Sequence, residues 1–111
     1  MESLNYFAST LGGTKDARIF KDLSRQYGSR LENLDVETKL AIMAVLSKYI
    51  YFKEFHIKEY LMVDAIAEVL PLYHNERICN VLMGLQGLSA RSCEILIKFI
   101  AIHQLDESVA D

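Results

Sequence analysis

Apolar residues recur at three- and four-residue spacing along almost the whole of this chain, and strand-like alternation is nowhere sustained. That periodicity requires amphipathic helices, so the fold class is all-α. Ile19, Phe20, Leu23, Tyr27 and Leu31 form one stripe, with Thr14 placed to cap it behind the Gly12-Gly13 break. Leu40, Met43, Ala44, Ser47 and Ile50 form a second, opened by Asp35 after the hinge Glu32-Asn33-Leu34. A third runs Ile57, Leu61, Met62, Ala65, Ile66 and Val69, and is expected to stop at Pro71. The fourth holds Ile78, Val81, Leu82, Leu85 and Leu88 behind Asn75. Ser89 or Ser92 caps the fifth, which carries Ile95, Leu96, Phe99, Ile100 and His103. A short helix over about residues 2–11 precedes them. The run Tyr49, Ile50, Tyr51, Phe52 and Phe55 is apolar nearly all round, as expected of a helix flanked on several sides.

The breaks are short, so sequential helices are expected to pack as antiparallel neighbours. With 111 residues the chain supports a single domain, 1–111, with one core. Residues 106–111 read as a frayed acidic tail. The most hydrophobic stretch is interrupted by Lys48, Lys53, Lys58, Glu59 and Asp64, short of the ~18 apolar residues that a membrane span needs. Two cysteines exclude a disulfide scaffold, and a net charge of −3 argues against a strongly basic nucleic-acid binder. The opening Met1-Glu2 has neither the basic n-region nor the apolar h-region of a secretory signal.

At an offset of 38 residues the stripes superpose. Ile19, Leu23, Leu31 and Leu34 fall on Ile57, Leu61, Val69 and Leu72. Leu40, Met43, Ala44 and Ile50 fall on Ile78, Val81, Leu82 and Leu88. Ile57, Leu61 and Met62 then fall on Ile95, Phe99 and Ile100. Five to six antiparallel helices are therefore expected, as about two and a half helical-hairpin repeats or as a closed small bundle. Both arrangements satisfy the same stripes.

The period, with segments such as Ala17-Arg18-Ile19-Phe20-Lys21-Asp22-Leu23 and Leu40-Ala41-Ile42-Met43-Ala44-Val45-Leu46, resembles the octotricopeptide and heptatricopeptide repeats and the related helical region of FAST-kinase-like proteins. The resemblance spans about residues 4–105. It implies an organellar role, mitochondrial or otherwise cytoplasmic, with RNA or an RNA–protein complex. The chain is shorter than a base-reading array and acidic, which favours a place within an assembly over direct reading.

Two segments are candidates for contact with RNA or a partner. Lys15, Arg18, Lys21, Arg25 and Arg30 are spaced to share one helix face, available for phosphate or simply solvated. The run from Lys48 to Tyr60 interleaves Lys48, Lys53 and Lys58 with rings including Tyr51, which either stack on bases or bridge a helix corner with the lysines as its rim. Tyr6, Phe7, Leu96, Ile97 and Ile102 are candidate apolar contacts for a protein partner. No catalytic or metal-ligand spacing joins His56, His74 and His103, and Cys79 and Cys93 read as small core residues. Gly84 and Gly87 are expected inside the fourth helix or at a weak point near its end. The sequence thus points to a non-enzymatic interaction protein without catalytic residues, cofactor or small-molecule substrate. It would be an accessory component of an organellar RNA–protein assembly such as the mitochondrial ribosome. The alternative is a free-standing acidic regulator of the antitoxin or immunity type, masking a basic site on an enzyme.

Overall fold

A computed structural model describes Ser3, Leu4, Tyr6, Ala8, residues 15–73 and residues 76–110. Among these residues there are five helices and no strand: α1 (Lys15–Tyr27), α2 (Val36–Phe55), α3 (Met62–Tyr73), α4 (Glu76–Met83) and α5 (Ala90–Ala110). Leu4, Tyr6 and Ala8 are also helical, as expected for the start of the chain. The expected caps Thr14 and Asn75, the Gly12-Gly13 break, and Phe7 and His74 lie outside the described residues.

The starts of α2 and α5 follow from their caps. Asp35 is extended (φ −76, ψ 169), and its carboxylate accepts the Thr38 N–H at 2.8 Å. At α5, Ser89 Oγ accepts the Ser92 N–H at 3.2 Å, so of the two serines it is Ser89 that caps. Helix α1 ends at Gly28, whose left-handed φ of 98° suits a residue without Cβ. Leu31 follows at φ 58°, a conformation that costs a non-glycine residue about 1–2 kcal/mol. Its side chain is fully buried, and that burial offsets the strain.

Helix α2 is the hub. It packs against α3, α4 and α5, and its largest shared surface is with α5, the helix furthest from it in sequence. The radius of gyration is 13.5 Å, close to the ~13 Å of a globular chain of this size. That compactness is consistent with a small helical bundle.

The core register corrects one stripe. Helix α2 buries Ala41, Ile42, Val45, Leu46 and Tyr49, whereas Leu40 is 52% exposed, Ala44 and Ser47 are exposed, and Met43 and Ile50 are half-buried. The helix has apolar residues on every side, so spacing alone does not select the buried one, which also takes in Thr38 and Lys39. Helix α3 begins only at Met62, so Ile57 and Leu61 belong to an exposed connection. It also runs through Pro71 to Tyr73, because a proline this close to a helix end removes one ladder hydrogen bond and leaves the earlier turns intact. Gly84 and Gly87 lie in the turn after α4 rather than within it, and Gly87 takes φ 92°. Helix α5 continues to Ala110, so the tail expected to fray is helical backbone up to that residue. No Gly or Pro lies between residues 90 and 110 to stop it.

Thr38 Oγ1 is buried without a hydrogen-bond partner. Thr38→Val keeps the shape and removes the unpaired hydroxyl. We expect it to raise stability by up to about 1 kcal/mol, read from the urea midpoint.

Candidate interaction site

The basic residues of α1 fall where their spacing placed them. Ala17, Phe20, Leu23 and Ser24 face the core, while Lys15, Arg18, Lys21 and Arg25 are exposed on the opposite side, followed by exposed Arg30 in the next turn. Arg25 is engaged by Asp22 at 2.5 Å. Lys15, Arg18, Lys21 and Arg30 have no carboxylate within ion-pair distance among the described residues. These four cations are free to meet an external anion.

The aromatic–lysine segment separates into an inner and an outer part. Phe52 stacks on the buried Tyr60 ring at 5.2 Å, which closes the corner between α2 and the connection to α3. Lys48 lies 5.7 Å over the Phe52 ring and pairs with Glu68 at 2.5 Å. Glu68 also accepts from Tyr60 Oη at 3.1 Å. Bonds from Lys48 and then Tyr60 hold the Glu68 carboxyl below its ordinary value. Burial, reinforced by Glu68, pushes Tyr60 up to about 12. Lys53 donates to Tyr49 Oη at 2.8 Å. Lys48 and Lys53 are thus half-buried and each held by a partner within the fold. Tyr51, 52% exposed, touches the rings of Phe52, Phe55 and His56 on the outer side. Phe55 is 74% exposed, and Lys58 is exposed beyond it.

The apolar candidates divide. Tyr6 and Ile102 are about half exposed, but Leu96 is fully buried and Ile97 is half-buried against the core. Leu96 is therefore not a partner contact. It shares with Cys93, Phe99, Ile100 and His103 the buried face of α5, whose principal neighbour is α2. His103 packs on the Phe99 ring at 4.3 Å. Cys79 and Cys93 are both free thiols, and burial pushes Cys93 up to about 12.

Two features have no counterpart in the sequence reading. The first is a carboxylate bridge between α1 and the start of α5. Asp16 accepts from Ser89 Oγ and Ser92 Oγ, both at 2.6 Å, and from the Ser89 N–H at 3.2 Å. Burial alone would raise the Asp16 carboxyl. The bonds from Ser89 and Ser92, with the charge of Lys15, outweigh it and hold the carboxyl below 3.8. A group with a lowered folded-state value stabilises above its unfolded value, and that contribution disappears as pH falls through the folded value. Asp16→Ala is expected to cost about 2 kcal/mol at neutral pH. The difference from the parent chain should shrink as pH falls below 3.8, which urea titrations at several pH values would follow. The second feature is a cleft of about 300 Å³ where the C-terminal half of α2 and the start of α3 meet the turn before α5.

No family model matches the chain, and no curated protein or solved structure matches it either. Among the described residues no helix is long and apolar enough to cross a membrane, and no cluster of His, Cys, Asp and Glu is grouped to hold a metal ion.

Proposed function

We propose that this chain is a non-enzymatic helical interaction protein, an accessory component of an organellar RNA–protein assembly such as the mitochondrial ribosome. The observation that carries this reading is the outer face of α1 and its following turn, where Lys15, Arg18, Lys21 and Arg30 stand exposed with no carboxylate within ion-pair distance among the described residues. The chain is acidic overall, so positive charge gathered on one helix is a local field suited to phosphate. The exposed rings of Tyr51 and Phe55 offer a second, apolar foothold for a protein neighbour. Attribution to an organelle rests on the resemblance of the hairpin segments alone.

The test is affinity purification of the tagged chain from its native cell, with eluates compared before and after RNase. Co-purification of ribonucleoprotein subunits is the expected result, and loss after RNase would attribute the attachment to RNA. Recovery of one basic protein at a one-to-one ratio, with no RNA, would overturn the reading in favour of an acidic regulator.

A further inference from the structure

The cleft before α5 combines apolar walls with one uncompensated cation. Leu61 and Val63, both exposed, stand with buried Met62 and Leu88 along it, facing Tyr49 and Lys53 of α2, and the polar side chains of Gln86 and Ser89 form its rim on the turn. Gly87 also lines it and carries no side chain there. The ammonium of Lys15 lies directly beside Gly87, so a second positive group borders the same turn.

Lys53 is what distinguishes this cleft from an ordinary surface depression. Its ammonium spends one of three donors on Tyr49 Oη, at 2.8 Å, and sits 5.2 Å from the centroid of that ring. Lys48 has the carboxylate of Glu68, but no carboxylate lies within ion-pair distance of Lys53 among the described residues. Glu54, whose charge does reach Lys53, stays beyond ion-pair distance, and Asp16, behind the Ser89 rim of the cleft, is occupied by the Ser89 and Ser92 hydroxyls and the Ser89 amide. Two donors of a positioned ammonium thus remain for an anion next to an apolar wall.

We infer that this cleft is a binding site for a small aliphatic carboxylate, with the carboxylate on Lys53 and the alkyl chain along Leu61, Val63 and Leu88. Its volume of about 300 Å³ lies at the lower end of small-molecule sites, which suits a short chain rather than a ring system. The hydrogen bond to Tyr49, outweighing partial burial, raises Lys53 above its ordinary value and keeps it charged. The inference does not depend on the assembly reading, because Lys53, Leu61, Val63 and Leu88, which hold the carboxylate and its chain, lie outside α1.

The experiment is titration of the full chain with sodium octanoate, followed by amide NMR, with octanol and octylamine as comparison probes. Octanoate is expected to shift amides at residues 61–63 and 86–89, and octanol to bind at least about tenfold more weakly for want of the charge-assisted bond. Lys53→Met keeps the apolar stem and should abolish that preference. Leu61→Glu, at a position 58% exposed and therefore harmless to folding, places a repelling carboxylate at the mouth and should weaken octanoate by a similar factor. Absence of shifts at these amides would overturn the inference. So would shifts spread equally to Phe55 and Ile102, or octylamine binding as well as octanoate.

Discussion

Leu96→Ala is expected to destabilise the chain by about 3–4 kcal/mol, whereas Ile102→Ala, on the same helix, should stay within about 0.5 kcal/mol. The two side chains are close in size and differ in where α5 points them. Leu96 is wholly enclosed, on the face shared with Cys93, Phe99 and Ile100, while Ile102 is 49% exposed. Removing the Leu96 side chain beyond Cβ leaves a cavity at the hub of the bundle, and close-packed neighbours collapse into such a space only in part. Domains of this size have roughly 5–15 kcal/mol of stability, so the loss is a substantial fraction of the total. Urea unfolding of both variants would show a lowered midpoint at unchanged slope for Leu96→Ala. A near-neutral Leu96→Ala would mean that α5 is not seated on α2 as described.

The second large effect concerns binding rather than folding. The double variant Arg18→Glu/Lys21→Glu should abolish co-purification with ribonucleoprotein subunits and leave the thermal midpoint nearly unchanged. Both side chains are exposed and unpaired, so reversal breaks no internal contact. It does place two negative charges where the proposed phosphate would lie. If RNA is touched directly, single neutralising substitutions should each lower the slope of log affinity against log salt by about 1. Lys98→Glu is the control, since Lys98 stands on α5 next to Glu94 at 3.5 Å, away from the α1 face. Retention of the complex by the double variant would remove α1 from the interface.

The sequence made the helices legible and the packing only partly so. Asp35 and Ser89 are local signals, because a cap bonds to its own helix, and both act as caps. The stripe Met62, Ala65, Ile66 and Val69 is equally readable, because α3 has polar residues on its other side. Helix α2 defeats the same method. With apolar residues all round, spacing selects no face, and the stripe of Leu40 and Ala44 is as regular as the buried one of Ala41 and Val45. Neither the Asp16 bridge nor the Lys53 cleft is periodic. Asp16 lies 73 and 76 positions from its two serines, and no local pattern announces a partner at that range. The basic face of α1 was readable because exposure on a surface helix follows from the same periodicity as burial.

The order of the helices along the chain also governs how the protein is made. The principal neighbours of α2 among the described helices (α3, α4 and α5) are synthesised after it, and the one with which it shares most surface comes last. Until α5 has emerged, α2, which buries Ile42, Leu46 and Tyr49, lacks its most extensive neighbour. From the completion of α2 until α5 has emerged the nascent chain therefore carries a partly covered apolar helix, the kind of surface on which chaperones act and aggregation begins. A fragment ending before α5 should be insoluble for the same reason, although it holds four of the five helices found among the described residues.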